Sequence, residues 1–126
     1  MYQPKYFVND EFARCKPSCE LSDMSERLMQ MLDDAREICN FPFYVNSAYR
    51  SQAYELTKGR KGTSSHCKGL AVDLCCGSSF VRGKMLSALI KVGFTRIGIY
   101  PTFLHVDIDD SKINAIWINS NDVTRG

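Results

Sequence analysis

The amino-acid sequence predicts an α+β fold in which an antiparallel sheet packs against two main helices. Three observations carry that prediction: two stretches with apolar residues at helical spacing, several short runs of β-branched and aromatic residues bounded by turn signals, and the close succession of the last three runs. A chain of 126 residues with 44% hydrophobic and 24% charged residues fits one packed domain, residues 1–126, and is not the composition of a disordered polypeptide.

The first helix is expected from about Asp23 to Cys39. Met24, Leu28, Met31, Leu32, Ala35 and Ile38 recur on one face, Asp23 and Glu26 match a capping-box start, and Pro42 lies beyond the end. Phe43 to Ala48 reads as a strand that leads into Tyr49 and Arg50, with a polar helix or turn following through Leu56. Lys58 to Ser65 is built of Gly, Lys, Arg, Thr and Ser and signals an exposed loop. Leu70 to Leu74 is strand-like, with Leu70, Val72 and Leu74 on one face and Ala71 and Asp73 on the other. A second helix spans Ser79 to Val92, with Phe80, Leu86, Leu89 and Ile90 inward and Gly93 as its stop. Arg96 to Tyr100, Phe103 to Ile108 and Asn114 to Ile118 complete the strands, and their close spacing predicts an antiparallel meander under the helices.

Charge and targeting signals narrow the function classes. The net charge is +2 and the 16 basic residues are dispersed, so no patch is concentrated enough to track nucleic-acid phosphates. The densest group, Lys58, Arg60, Lys61 and Lys68, reads either as a solvated loop or as an attraction for an anionic substrate. The start, Met1-Tyr2-Gln3-Pro4-Lys5, lacks the pattern of a secretory signal, and no segment approaches membrane-spanning length. The expectation is a cytoplasmic protein as synthesised, without a membrane partner and monomeric. In that setting the 6 cysteines are expected as reduced thiols, and Cys15 and Cys19 lack the second spaced pair that a structural zinc site requires.

The chemistry concentrates on the 2 histidines, His66 and His105, each in a short segment with an acidic residue. Three protein ligands drawn from His and Asp, with a fourth position left to water, form the ligand set of a catalytic zinc, whereas a structural zinc closes its shell with thiolates. His66 and Asp73 are separated by an odd interval that would put them on opposite faces of one strand, so His66 is expected in the loop before Gly69. A glycine there lets the backbone turn the imidazole over the strand, and the small Ala71 leaves room beside Asp73. His105 and Asp107 share one strand face, opposite Leu104, Val106 and Ile108.

Ser64-Ser65-His66-Cys67-Lys68-Gly69-Leu70-Ala71-Val72-Asp73 resembles the S-x-H-x-x-G-x-A-x-D signature of the zinc D-alanyl-D-alanine carboxypeptidases and L-alanyl-D-glutamate endopeptidases, whose fold is shared with the hedgehog signalling domain. All fixed positions match. Ser47-Ala48-Tyr49-Arg50 resembles the family segment that ends in a functional arginine, and Gly98 to Pro101 followed by Phe103 to Asp107 resembles its closing ligand strand. The likeness runs from about Tyr6 to Trp117 and is nearest to the small carboxypeptidase-like branch of bacteria and their phages.

Residue by residue, the resemblance implies that His66, Asp73 and His105 bind one zinc ion and that Arg50 meets the substrate, the stem peptide of peptidoglycan. One position departs from the pattern: where many relatives carry a carboxylate base three residues before the last histidine, this chain has Thr102. Asp107 is the substitute base by its place beside His105, although an exchange of ligand roles between His105 and Asp107 stays open. Ser64 is expected to hold the loop or a ligand by hydrogen bonding, and Tyr100 and Trp117 to form core or cleft wall, Tyr100 against the substrate. The activity implied is hydrolysis next to a D-amino acid, by a carboxypeptidase or an endolysin-type endopeptidase that a phage or prophage encodes against its host's wall. The alternatives are a non-catalytic zinc-stabilised module that binds wall fragments or a protein, and a virion structural protein with a vestigial site.

Overall fold

The computed structural model describes residues 2–120, and its architecture is α+β, with a five-stranded sheet and four α-helices. A short helix, α1 (Asn9–Ala13), opens the chain and buries Phe12. The long helix α2 (Glu26–Cys39) starts one turn later than the Asp23 signal predicts. Ser25 is its N-cap, accepting from the Leu28 amide, while Asp23 ends a separate 3-10 turn over Leu21–Asp23 and accepts from the Glu20 amide. Its other end is closed by Asn40 in the left-handed region, φ 60°, which an asparagine tolerates and a β-branched residue would not. Of the expected apolar face, Leu28, Met31, Leu32 and Ala35 are buried but Ile38 is exposed; Met29 and Asp33 take up the remaining buried positions.

Asp33 has a role that periodicity hides. Its buried carboxylate accepts from the backbone amides of Lys5 (2.7 Å) and Tyr6 (3.1 Å) and from the Tyr2 hydroxyl, so it fastens the N-terminal segment across the helix.

The remaining elements are β1 (Val45–Ser47), α3 (Gln52–Thr57), β2 (Ala71–Cys75), α4 (Ser79–Lys91), β3 (Arg96–Ile99), β4 (Phe103–Asp107) and β5 (Ala115–Ile118). They match the sequence expectations to within a few residues. Helix α4 begins at the Ser78 cap and stops at Gly93, φ 109°, as its sequence signals. Its inward face differs from expectation: Met85, Ala88 and Leu89 are buried, whereas Phe80 and Ile90 are exposed. The helix packs on one neighbour, α2, and on the sheet, so only a narrow stripe of it needs to be apolar.

Strand order is β1-β2-β4-β3-β5, and every pairing is antiparallel except β3 with β5. The predicted meander of the last three strands is therefore corrected. Strand β4 is already paired on both edges, by β2 and β3, so β5 cannot lie beside it. It starts at the end of the sheet where β4 finishes, pairs Ala115 with Arg96, and so runs parallel to β3 along its free edge.

The two sheet faces differ in kind. Val72, Leu74, Ile97, Leu104 and Val106 join α2 and α4 in the hydrophobic core. The alternate positions, Asp73, His105 and Asp107, put buried polar groups on the opposite face. Among the described residues no helix is long and apolar enough to cross a membrane.

Gly69 connects this framework to the polar face. Its φ of +70° lies in the left-handed region, and an added Cβ would stand 2.2 Å from the Asp23 carbonyl oxygen, a backbone atom with no freedom to retreat. Gly69→Ala is expected to cost about 2 kcal/mol or more, combining left-handed strain with the displaced contact. Denaturant unfolding of the metal-free protein measures this, and an unchanged midpoint would contradict the packing described.

Candidate metal centre

Cross-strand register builds half of the site. In the antiparallel pairing of β2 with β4, Asp73 stands directly opposite His105, and Ala71 opposite Asp107. On the other side of β4, Gly98 faces His105 and Arg96 faces Asp107. Four polar side chains, Asp73, His105, Asp107 and Arg96, are thereby brought together by pairing alone.

The second histidine arrives on a loop. Ser64 caps a 3-10 turn over Ser65–Lys68, its hydroxyl accepting from the His66 amide at 3.0 Å, and Gly69 reverses the chain into β2. The backbone amide of Arg50 donates to the His66 carbonyl (3.2 Å), and the His66 ring donates from Nδ1 to the Ala48 carbonyl (2.7 Å). With Nδ1 committed as a donor, the lone pair sits on Nε2, which points at Asp73.

The donor atoms converge. His66 Nε2 is 3.4 Å and His105 Nδ1 is 3.0 Å from Asp73 Oδ1, and all three ligand atoms lie within 4.8 Å of one another. Tetrahedral zinc with bonds of about 2.0–2.1 Å would set neighbouring donors about 3.3 Å apart, close to the two distances from Asp73 Oδ1. Two further observations agree. His66 Nε2 and Asp73 Oδ2 are buried polar atoms without a hydrogen-bond partner, an arrangement that is costly unless a cation satisfies them. All three side chains are also fully buried, where an isolated carboxylate would not stay ionised.

The electrostatics follow the same geometry. Burial lowers the pKa of His66 against the pull of Asp73, toward the neutral form that a ligand needs. Burial opposes ionisation of Asp73 too, but the two imidazoles outweigh it and hold the carboxyl below the usual range. At His105 burial works downward, yet hydrogen bonds to Asp107 and Asp73 raise its pKa.

Asp107 lies on the far edge of His105 from Asp73. Its Oδ2 is 2.7 Å from His105 Nε2, leaving Nδ1 directed toward Asp73 and His66. Its Oδ1 accepts from Arg96 Nε (2.7 Å) and from the Asp109 amide (3.1 Å), so both oxygens are occupied. This arrangement fixes the tautomer and orientation of the ring. His105, not Asp107, faces Asp73 and His66.

Arg50 is buried, with Nη1 donating to Ser47 (3.1 Å) and Nε 3.3 Å from Glu55 Oε2; burial lowers its pKa while Asp73 and Glu55 oppose the shift. Glu55 also accepts from Arg60 Nη1 at 2.7 Å, so one buried carboxylate holds two guanidinium groups. Asp109 does the same on the other flank, taking Ser65 Oγ (2.8 Å) and Lys68 Nζ (3.2 Å) and pinning the turn that carries His66. Two of the four cations in the basic cluster, Arg60 and Lys68, are thus engaged with carboxylates of their own chain.

Ser64 and Tyr100 take the loop-holding and core positions open to them in the sequence. Ser64 is the cap of the His66 turn. Tyr100 is buried to 1% exposure and stacked on Phe103 at 4.3 Å between centroids, with its hydroxyl accepting from Trp117 Nε1 (3.4 Å). Trp117 is the aromatic residue beside the centre, 5.5 Å from the His105 ring. It fits there because Gly98 has no side chain: a Cβ would come within 2.6 Å of the indole. Glu55, Arg96 and Asp109 were missed in the sequence because isolated charges on a short helix, a strand end and a loop carry no pattern. Only the alternation of Asp107 and Asp109 about one strand face hints at them.

A family model described as Peptidase M15 matches residues 5–109. No curated protein matches the chain.

Two outcomes test this geometry. Glu55→Ala leaves buried Arg50 without its carboxylate and is expected to cost about 3 kcal/mol by chemical unfolding, against under about 1 kcal/mol for Arg60→Ala, whose side chain is 39% exposed. Equal costs would mean that Glu55 serves mainly the exposed arginine. Trp117 is the single tryptophan, so Co²⁺ bound beside His105 should quench its fluorescence stoichiometrically. The quench should vanish in His105→Ala and persist in a variant of a distant group such as Lys91→Ala.

Proposed function

The chain belongs to the Peptidase M15 family and is a zinc metallopeptidase of the kind that acts on cell-wall peptides, and from that premise we propose that it hydrolyses a peptide bond next to a D-amino acid in the peptidoglycan stem. The observation that carries the reading is the convergence of His66 Nε2, Asp73 Oδ1 and His105 Nδ1 around unsatisfied buried lone pairs. These three residues would hold the ion as a single peptidase domain. A zinc ion held there would supply polarisation of a peptide carbonyl and a water acidic enough to act as a nucleophile near neutral pH.

The protein's own groups supply orientation. The Ala48 carbonyl holds the His66 ring, and Asp107 holds the His105 ring with its Nε2 proton directed at Oδ2. Asp107 therefore acts through His105 as a positioning residue in preference to the base role expected from its sequence position, its oxygens being taken by His105, Arg96 and the Asp109 amide. Arg50, held by Ser47 and Glu55, is assigned to the substrate, where a guanidinium grips a terminal carboxylate or steadies developing negative charge. A terminal carboxylate on the substrate would make the reaction a carboxypeptidase cleavage, and an internal bond an endopeptidase one.

The second reading, a zinc-stabilised binding module, draws on Thr102, which stands where a carboxylate base is usual.

Purified muropeptides incubated with zinc-loaded protein are expected to yield new amines by mass spectrometry, and His66→Ala to abolish them. Tight zinc binding without product from any wall type would favour the binding module. Asp107→Asn separates the two roles of that residue. A positioning role predicts zinc affinity lowered about 10–100-fold with turnover recovered at saturating zinc, whereas a base role predicts turnover that stays about 100-fold or more below wild type however much zinc is added.

A further inference from the structure

One row of residues crosses the metal-bearing face of the sheet, and its last member is not a ligand. Cross-strand register sets Asp73 on β2 beside His105 on β4, His105 beside Gly98 on β3, and Gly98 beside Trp117 on β5. Gly98 leaves a gap in the row, and the indole of Trp117 leans across it to within 5.5 Å of the His105 ring, centroid to centroid. It lies flat in that gap. A Cβ on Gly98 would stand 2.6 Å from Cε2 and 2.7 Å from both Cζ2 and Nε1, near-equal distances that put it over the ring face and not at the ring edge. One face of the indole therefore sits on the sheet, and the other is turned away from it on the metal-bearing side, where Trp117 is half-buried. The pose is fixed by neighbours: Nε1 donates to the Tyr100 hydroxyl at 3.4 Å, and the Arg96 guanidinium stands 5.2 Å from the ring centroid. Arg96 is itself held by Asp107 and the Ile113 carbonyl, so the polar groups around the indole are paired within the protein. What the ring still offers is apolar and preorganised.

We propose that Trp117 is a substrate-binding residue, the platform that receives a small apolar side chain next to the scissile bond. The inference rests on the peptidase reading and adds a determinant of substrate choice to it. A peptide bond placed for hydrolysis at His66, Asp73 and His105 has its two flanking Cα atoms about 3.8 Å apart, so neither flanking side chain lies far from the ligand rings. With the indole 5.5 Å from one of those rings, a flanking side chain falls within its reach. An aromatic face gives dispersion contact to a methyl or methylene group, and its negative quadrupole repels a carboxylate. The charged end of the substrate is thereby left to Arg50 and the apolar part to Trp117. Strand neighbours Ile116 and Ile118 project from the opposite sheet face and take no part, although Ile118 is 81% exposed.

Trp117 is the single tryptophan, so its own emission reports the contact. Purified muropeptides are mixed with the zinc-loaded protein, and acrylamide quenching of Trp117 is read before product accumulates. Bound muropeptide is expected to shield the indole, and a synthetic counterpart with glycine beside the cleaved bond to shield it less. Unshielded emission at concentrations that saturate turnover overturns the proposal and leaves the peptidase reading standing. Shielding without product from any wall type overturns the peptidase reading and keeps Trp117 as a binding residue, whereas neither product nor calorimetric binding ends both. Trp117→Ala should raise KM about 3–10-fold with kcat unchanged, and Trp117→Phe should stay within about 3-fold of wild type. Both should keep wild-type zinc affinity in chelator competition, and Ile118→Ser should leave KM unchanged. A Trp117 that merely props the His105 ring would instead lower zinc affinity and kcat with KM unmoved, which also overturns the proposal. If Trp117→Ala does not fold, the wild-type shielding still decides.

Discussion

A carboxylate buried between two imidazoles is the constraint on which the rest of this structure depends. Asp73 is fully buried on the interior strand β2, with one oxygen shared between His66 and His105 and the other without a partner. An ionised group in such a place is tolerated only where positive charge compensates it. Three donors gathered at that spacing, with their remaining ring nitrogens tied to Ala48 and Asp107, are placed to take a cation, which would supply that compensation.

Around that centre the chain repeats one device. A buried carboxylate is set against an arginine or lysine that reaches it from a neighbouring element: Asp107 with Arg96, Glu55 with Arg50 and Arg60, Asp109 with Lys68. Each pair fastens a segment that bears a functional side chain, namely the His105 ring, the Arg50 turn and the His66 turn. The helices α2 and α4 cover only the apolar face of the sheet, so the polar face has to be held by such contacts and by the short capped turns.

Much of the fold was legible. A stop such as Gly93 bounded α4, and alternation placed the faces of β2 and β4 correctly, because these signals act within a few residues. What failed depended on neighbours. The partner of β5 was decided by β4 having no free edge, and the inward face of α4 by how much of it α2 and the sheet could cover, so Phe80 and Ile90 stayed outside. Tyr100 was left between core and cleft wall by the sequence, and its stacking on Phe103 buries it.

By itself the sequence named the candidate donors, two histidines and an aspartate in segments whose residue types suit a metal, together with the glycine that turns His66 over the strand. Those are properties of side-chain chemistry and local backbone freedom, and both can be read along a chain. Tertiary structure alone decided which nitrogen of each ring faces Asp73, that Asp107 braces His105 from behind, and that Glu55 and Asp109 anchor the flanks. Each of these depends on groups brought together across strands and turns by folding, and distances of that kind leave no trace in residue order.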